Sequence, residues 1–197
     1  MTFPARLALA TRNPGKIREI LSICVGWPVE WLTADERWPG VEETGATYLD
    51  NALLKARAVS EATGETAIAD DSGIEVDALG GAPGPRSARY AGPNATDEAN
   101  LRMLIGAVSG VPASGRTARY RCVAAAVRPG DDDVWAEGVC EGHLITKPRG
   151  SNGFGYDPIF VPAGWDETMG ELASSDKDRI SHRGRAFRSL GERLAAS

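Results

Sequence analysis

Short apolar runs alternate with segments of helical periodicity along this chain, and this alternation limits the possible folds more than any other feature. Leu7 to Ala10 is a short apolar run, and apolar residues at helical spacing follow from Ile17. Thr47 to Gly64 carries apolar residues at the i, i+3, i+4 and i+7 positions, and Thr66 to Ala69 is again a short apolar run. Strands that alternate with helices are typical of crossover units built on a sheet.

A predicted hairpin in the second half of the chain determines the kind of sheet. Thr117 to Val127 alternates in its first half, and Val134 to Ile145 follows across a turn. Crossover units and a hairpin together predict an α/β protein with a mixed sheet flanked by helices. We find no internal repeat and no linker, and we expect a single domain over residues 1–197. The other predicted elements are a helix capped by Thr96, a Gly-rich loop from Ser151 to Tyr156, a strand from Pro158 to Val161 and a helix from Ala186 to Leu194.

Composition excludes several classes of protein. The 197 residues carry a net charge of −5, which gives no general attraction for nucleic acid or for an anionic membrane. The longest apolar stretches fall far short of the roughly 20 residues that cross a bilayer. Met1 to Thr11 contains no basic segment followed by an apolar core, so we expect no secretory signal and a cytoplasmic protein. Because the cysteines are odd in number and widely spaced, we expect buried thiols at Cys24, Cys122 and Cys140.

The segment between the first predicted strand and the first helix is suited to phosphate. It consists of Thr11, Arg12, Asn13, Pro14, Gly15 and Lys16. The first amides of a helix lack intrahelical partners and lie at the positive end of the helix dipole, so they attract anions. The segment lacks the spacing of a Walker loop, and no GxGxxG occurs in the chain. An ordinary turn with a solvated lysine is the alternative.

Two acidic clusters, Glu42-Glu43-Thr44-Gly45 and Asp70-Asp71-Ser72-Gly73, supply candidate ligands for a divalent cation. The second cluster is expected at the end of a strand, and if the strand continues, Asp70 and Asp71 point to opposite sides. Mg²⁺ usually takes one or two carboxylates and completes its shell with water and substrate phosphates. A solvated turn with an aspartate cap is the alternative.

The C-terminal part of the chain combines cations with an aromatic loop. Basic residues outnumber acidic ones from Asp176 to Arg193, and Ser181-His182-Arg183-Gly184 can donate to carbonyl or phosphate oxygens. Phe154, Tyr156 and Asp157 offer flat surface for a base and a carboxylate that accepts from its ring N–H. A solvated helix face, a surface histidine and packed loop aromatics are the alternatives. Together the three regions predict a nucleotide ligand, without identifying the bond that breaks.

Seven motifs in this order resemble the RdgB-like family of inosine/xanthosine triphosphate pyrophosphatases, from about residue 7 to 190. The motifs are Thr11-x-Asn13-x-x-Lys16, Glu42-Glu43-Thr44-Gly45, Asn51-Ala52-x-x-Lys55-Ala56, Ala69-Asp70-Asp71-Ser72-Gly73, Ser87-Ala88-Arg89-Tyr90, Gly153-Phe154-Gly155-Tyr156-Asp157-Pro158 and Ser181-His182-Arg183. The resemblance implies Mg²⁺-dependent hydrolysis of ITP, dITP and XTP to the monophosphate and pyrophosphate. It also implies a homodimer and an elongated, twisted sheet in two lobes with a central cleft.

The resemblance assigns roles to individual residues by position. Glu42 and Asp71 would hold Mg²⁺, and Asp71 would also be the catalytic proton acceptor. The segment from Thr11 to Lys16 would bind the triphosphate, and Lys55 would support the phosphate or carboxylate shell. The other substrate-binding positions are Ser72, Phe154, Gly155, Tyr156, Asp157, Lys177, His182 and Arg183.

Selection of the purine would depend on its six position. Hypoxanthine and xanthine have a carbonyl there, whereas the amino group of adenine would face donors such as His182 and Arg183 without a partner. Two other functions stay open: a nucleotide-binding regulatory protein without turnover, and a pyrophosphatase of pyrimidine nucleotides similar to the Maf-like enzymes. Intact Glu42, Asp71 and Lys16 favour turnover over binding alone.

Overall fold

The predicted alternation of strands and helices is present in the structure, a computed structural model that describes residues 3–33 and 38–196. Within these ranges the strands are β1 (Arg6–Leu9), β2 (Glu30–Leu32), β3 (Thr66–Val76), β4 (Thr117–Val127), β5 (Val134–Leu144) and β6 (Phe160–Pro162). The helices are α1 (Pro14–Ile23), α2 (Tyr48–Thr63), α3 (Asp97–Val108), α4 (Ser174–Ile180) and α5 (His182–Ala196). Residues 1, 2, 34–37 and 197 of the predicted domain lie outside the described residues.

The sheet is mixed, as predicted. Its strand order is β2-β1-β3-β4-β5-β6. β1 pairs in parallel with both β2 and β3, so α1 and α2 lie in crossover connections. Residues 128–133 join the neighbouring strands β4 and β5, which is too short for a parallel crossover, and β5 pairs antiparallel with β6. The α/β class with a mixed sheet is therefore confirmed.

The residues divide into two compact units. The first contains Met1–Asp71, Cys122–Gly138 and Arg183–Ser197, and the second contains Ser72–Arg121 and Val139–His182. β3, β4 and β5 each contribute residues to both units. A single domain with two lobes and a central cleft stays a prediction.

In the first unit, alternate residues of β1 and β3 face different helices. Leu7, Leu9 and Ile68 pack in one cluster with Ile20 of α1 and Phe187 of α5. The intervening small residues of the two strands pack in another cluster with α2: Ala8, Ala67, Ala69, Ala56 and Val59. Because side chains alternate along a strand, this pattern fixes which helix each later residue of β3 meets.

The second unit has its own core beneath α3. Its buried members include residues of β3, α3, β4, β5 and β6, namely Ile74, Val76, Leu104, Val108, Tyr120, Leu144 and Phe160. The three cysteines are buried and form no disulfide with one another, which confirms the prediction of buried thiols. No helix within residues 3–33 and 38–196 has the length and apolar character needed to cross a membrane.

Local chemistry defines the ends of the helices that the sequence predicts well. Thr47 caps α2, accepting from the Asp50 amide at 3.1 Å, and Gly64 ends it in the left-handed region at φ 73°. Thr96 caps α3 by accepting from the Ala99 amide at 3.2 Å. The predicted cap at Thr96 is confirmed.

Several predicted boundaries are wrong. β3 does not end at Ala69 but continues to Val76, so the acidic pair lies within a strand. α1 begins at Pro14, inside the predicted loop, because proline at the first helical position needs no partner for its missing N–H.

The C-terminal boundaries also differ from the predictions. The predicted strand from Pro158 shifts to β6, because residues Asp157–Ile159 form a 3-10 turn. The last helix starts at His182, so His182 and Arg183 belong to its first turn and do not precede it. β2 and α4 were not predicted.

Gly142 of β5 pairs with Pro162 of β6 and has little space around its Cα. A Cβ at Gly142 would lie 2.3 Å from the carbonyl oxygen of Val161 and 2.7 Å from the ring of Phe160. Only a residue without a side chain fits this position.

We expect Gly142→Ala to lower the free energy of unfolding by about 1–3 kcal/mol, because the methyl group would press on backbone that cannot move aside. Gly106→Ala is the matched control, since Gly106 lies in α3 and its added Cβ would have nothing within 4 Å. The control should raise the free energy of unfolding by about 0.5–1 kcal/mol. Urea denaturation measures both values, and equal stability of the two variants would contradict the close approach.

Candidate functional site

The acidic pair on β3 places its two carboxylates on opposite faces of the strand. Asp70 follows Ile68 in the alternation and therefore lies on the side of α1 and α5. Asp71 follows Ala69 and lies on the side of α2. Both side chains are buried, at 1% and 3% exposure. The predicted divergence of the two aspartates follows from the continuation of the strand.

Asp70 forms the centre of a buried cluster of charges. Its Oδ2 lies 3.1 Å from Lys16 Nζ and 3.2 Å from Arg183 Nη2. Arg183, only 2% exposed, also donates to the Glu19 carboxylate. Two cations are thus neutralised by two carboxylates, and β3 is tied to the first turns of α1 and α5.

Asp70 and Arg183 stabilise each other's charged forms. Burial by itself would raise the pKa of the Asp70 carboxyl, but Lys16, Arg183 and Lys55 outweigh it and hold that pKa well below its ordinary value. Burial would lower the pKa of the Arg183 guanidinium, but Asp70 and Glu19 keep it above its ordinary value. Asp70 is therefore ionised and holds Lys16 and Arg183 in place.

Asp71 lies among residues of α2 and the Glu42-Glu43 segment. Its Oδ2 accepts from Asn51 Nδ2 at 3.0 Å, and its Oδ1 lies 3.8 Å from Lys55 Nζ. Lys55 also donates to Glu43 Oε1 at 2.6 Å. Burial raises the pKa of the Asp71 carboxyl, and Lys55 and Lys16 only partly oppose this. The raised pKa of Asp71 suits a proton acceptor. The neighbouring cation is Lys55, whose own pKa is raised, despite its burial, by Asp71, Asp70 and Glu43.

Asn51 links the acidic segment to Asp71. Its Oδ1 accepts from the Gly45 amide at 2.8 Å while its Nδ2 donates to Asp71. A Cβ on Gly45 would lie 2.7 Å from that Oδ1, so the segment approaches α2 closely. Asn51 and Lys55 are one turn apart on α2, and this spacing places both side chains beside Asp71.

The structure brings Glu43, rather than Glu42, to Lys55. Glu42 is exposed, and its carbonyl oxygen accepts from the Thr44 amide at 3.0 Å. Among residues 3–33 and 38–196, no group of three or more His, Cys, Asp and Glu side chains is arranged to hold a metal ion. The role of Glu42 as a metal ligand stays a prediction.

Much of the predicted phosphate segment already has partners within the protein. Asn13 Oδ1 accepts from the amides of Gly15 and Lys16 at 2.8 and 3.2 Å, so it caps α1 itself. Thr11 Oγ1 accepts from the Asn13 amide, and Arg12 donates to the carbonyl of Trp38. Lys16 is held by Asp70, with its side chain 15% exposed. The lysine is therefore placed and partly desolvated, not freely solvated.

The second unit contains the Gly-rich loop and a second buried ion pair. Asp157 Oδ2 accepts from Lys177 Nζ at 2.6 Å and from the Phe154 amide at 2.9 Å. Lys177 Nζ also lies 5.3 Å from the centroid of the Phe154 ring, within cation–π range. A Cβ on Gly153, whose φ is +76°, would lie 2.1 Å from Asp157 Oδ2, so the loop needs glycine there. The predicted base-binding carboxylate and lysine bind each other.

The other predicted residues of the second unit differ in exposure. Tyr156 is 5% exposed and donates to the carbonyl of Ser87 at 2.8 Å, so it is a core residue. The Gly155 amide donates to Asp97 Oδ2 at 3.0 Å, and Ser72 is half-buried on β3. His182 is buried, at 6% exposure.

Sequence reasoning missed Glu19 and Tyr120. Glu19 lies three residues after Lys16, on the same side of α1, and this helical spacing was a usable signal. Tyr120 lies on the buried side of β4, and its contact with His182 joins residues far apart in sequence.

Comparison with known proteins gives consistent matches over nearly the whole chain. The model of the Ham1 family matches residues 7–193. The dITP/XTP pyrophosphatase of Bacillus licheniformis is 46% identical over 188 residues, which are 94% of this chain and 96% of the relative. The dITP/XTP pyrophosphatase of Thioalkalivibrio sulfidiphilus is 48% identical and covers 96% of this chain and 98% of the relative. The solved structure of a HAM1 protein from Coxiella burnetii aligns at a TM-score of 0.87 and 38% identity, with 100% of both chains covered.

We expect Asp70→Asn to lower the free energy of unfolding by about 3–5 kcal/mol, because it leaves Arg183 buried with too little countercharge. Asp133→Asn is the control, since Asp133 pairs with Arg57 at 2.5 Å, where the Arg57 side chain is 52% exposed. The control should change stability by less than about 1 kcal/mol. Urea denaturation at neutral pH measures both values, and a loss at Asp70 no larger than that of the control would contradict the anchoring role.

Proposed function

This chain belongs to the Ham1 family, and from this membership and the arrangement of its acidic residues we propose that it hydrolyses deaminated purine nucleoside triphosphates. The substrates are ITP, dITP and XTP, and the products are the nucleoside monophosphate and pyrophosphate. The observation that carries the chemistry is the position of Asp71, a buried carboxylate between Asn51 and the Lys55–Glu43 pair. The names of the relatives, dITP/XTP pyrophosphatases, support the choice of substrate.

Asp71 is the proton acceptor of the proposed reaction. A water molecule attacks the α-phosphorus in line with the bond to the β-phosphate, its proton passes to the Asp71 carboxylate, and pyrophosphate leaves with the electrons of the broken P–O bond. Asn51 donates to one oxygen of Asp71 at 3.0 Å and so fixes the orientation of the carboxylate. Because burial raises the pKa of Asp71, it accepts a proton more readily than an exposed aspartate.

A divalent cation, Mg²⁺, is the proposed cofactor, and the residues present fit it. Asp71 and a glutamate of the Glu42-Glu43 segment supply hard oxygen donors, and Glu43 reaches the lysine beside Asp71. One or two carboxylates suffice for Mg²⁺, since water and substrate phosphates complete its shell, and a cage of three protein ligands is not required. When bound, Mg²⁺ would supply positive charge that stabilises the leaving pyrophosphate.

Lys16 and the start of α1 are proposed to bind the triphosphate. Asp70 holds the Lys16 ammonium in place, so binding loses little side-chain entropy. Asn13 already satisfies two of the first amides of α1, so the contribution of these amides to phosphate binding is smaller than their position suggests. The positive charge of Lys16 is therefore the main attraction that this segment offers.

The residues grouped around Asp157 in the second unit are proposed to bind the base. Phe154 offers a half-buried ring on which a purine can stack, and Lys177 lies over the same ring. His182 supplies a hydrogen-bond donor for the carbonyl group at the six position of hypoxanthine or xanthine. If adenine were bound, this donor would face an amino group and would have no acceptor. The Arg183 guanidinium is held by Asp70 and Glu19, so its proposed contribution is to fix the first turn of α5 beside His182.

We also propose that the protein acts as a cytoplasmic homodimer. The dimer is implied by the family resemblance, and analytical ultracentrifugation measures it directly. A monomer at micromolar concentration would remove this part of the proposal without affecting the reaction.

A panel of triphosphates tests the proposed reaction. With Mg²⁺ present, we expect IMP, dIMP and XMP, each with pyrophosphate, from ITP, dITP and XTP, at kcat/KM values well above those for ATP and GTP. Removal of divalent cations should abolish turnover, and added Mg²⁺ should restore it. Binding without products would instead favour a regulatory protein, and preferred hydrolysis of UTP or dTTP would favour a pyrimidine enzyme.

Asp71→Asn tests the proton acceptor. We expect kcat for ITP to fall by about 10²–10⁴-fold, because the amide cannot accept the proton and is a poorer ligand for a hard cation. Asp133→Asn, the same substitution at an exposed ion pair of the first unit, should keep the wild-type rate. Circular dichroism verifies the fold of both variants, and an unchanged kcat in Asp71→Asn would remove Asp71 from the mechanism.

A further inference from the structure

Tyr120 contacts two of the residues proposed to bind the base, although no role has been assigned to it. It is 7% exposed and lies on the buried side of β4, in the core of the second unit. Its ring centroid lies 4.6 Å from that of His182, and the two ring planes differ by only 8°. Phe160 meets the same tyrosine ring at 4.7 Å with an angle of 59° between the planes. Tyr120 is therefore packed between a histidine of the proposed site and the core.

This stack fixes the plane of the His182 imidazole. Both nitrogens of a histidine ring lie in the ring plane, so its N–H groups donate only within that plane. Because Phe160 holds Tyr120 at a steep angle, the tyrosine cannot tilt together with the histidine. The plane in which His182 donates is thus restrained by the ring of Tyr120.

The hydroxyl of Tyr120 reaches the second group of the proposed base site. It donates to Asp157 Oδ1 at 3.3 Å. The other oxygen of Asp157 accepts from Lys177 and from the Phe154 amide. Tyr120 therefore holds the carboxylate on which the positions of the lysine and the loop depend, while its ring holds the histidine.

We propose that Tyr120 is a positioning residue for the base: its ring aligns the His182 donor for base selection, and its hydroxyl holds the Asp157–Lys177–Phe154 group for base binding. The inference rests on the proposed function. Selection between a carbonyl and an amino group at the six position depends on the direction of a few donors, so a residue that fixes those directions affects selectivity more than the rate of the chemical step.

Two variants separate the ring of Tyr120 from its hydroxyl, and a third variant is the control. Tyr120→Met keeps an apolar side chain but removes the flat ring, and Tyr120→Phe keeps the ring and removes the hydroxyl. Tyr48→Phe is the control, because Tyr48 is also buried, at 7% exposure, but lies in the first unit.

Tyr120→Met, which removes the ring, should lose selectivity for ITP over ATP. We expect the ratio of kcat/KM for ITP to that for ATP to fall about tenfold in Tyr120→Met, mainly through a higher KM for ITP. Tyr120→Phe should keep the ratio near that of the wild type while its KM for ITP rises about two- to tenfold, because one hydrogen bond to Asp157 is lost. Tyr48→Phe should match the wild type in both quantities.

The stack has a second readout that does not depend on catalysis. The chain has only two histidines, His143 and His182, so their ring protons are resolved from each other by NMR. Stacking on Tyr120 should shift the His182 ring protons upfield of those of the exposed His143. Tyr120→Phe should keep this shift, and Tyr120→Met should lose it while leaving His143 unchanged. The wild-type spectrum alone tests the stack if Tyr120→Met does not fold.

The outcomes distinguish this inference from the proposed function. Absence of ITP hydrolysis in the wild type would overturn both. Wild-type hydrolysis of ITP, combined with an unchanged ITP-to-ATP ratio in Tyr120→Met, would overturn the role of Tyr120 alone. Absence of the upfield shift of His182 in the wild type would also overturn it, and an unchanged KM for ITP in Tyr120→Phe would remove the hydroxyl from the role.

Discussion

The buried ion pairs of Asp70 are the interaction on which the first unit depends. A lysine and an arginine taken out of water are costly unless a carboxylate lies within hydrogen-bond distance of both. Asp70 meets this condition for Lys16 and Arg183, and Glu19 adds the second negative charge. Strand β3 and the first turns of α1 and α5 are held together in this way, with the lysine of the phosphate segment already in position.

Strand alternation lets neighbouring aspartates serve different purposes. Asp70 faces two strong cations, which hold its pKa well below the ordinary value, so it stays ionised and structural. Asp71, one residue later, faces α2, where burial outweighs the effect of Lys55 and raises its pKa. Two adjacent residues of one strand thus supply a carboxylate that stays ionised and a carboxylate with a raised pKa. A turn at this place, as the residue types suggested, would not have separated the two environments.

Features set by local chemistry could be predicted from the sequence, whereas features set by distant contacts could not. The span of α2, the caps at Thr47 and Thr96 and the β4–β5 hairpin follow from periodicity and turn residues that lie next to each other. The extent of β3 could not be predicted from local sequence, because Asp-Asp-Ser-Gly is typical of a turn. The residues that pair with this part of the strand lie elsewhere in the chain. Arg183 and Asp70 are 113 residues apart, and no local pattern reveals such a pair.

The candidate base site shows that counting hydrogen-bond donors in the sequence is a poor guide to how a base is recognised. Lys177 binds Asp157, and the Arg183 guanidinium binds Asp70 and Glu19, so several predicted donors already act on carboxylates of the protein itself. Internal pairs of this kind fix a site more than they bind a ligand, because breaking them would leave buried charges uncompensated. In the proposed reaction, selection of a purine would then depend on the orientation of the few groups that contact the base. The plane of a single histidine becomes important under this condition, and that plane is determined by the residue on which the ring stacks.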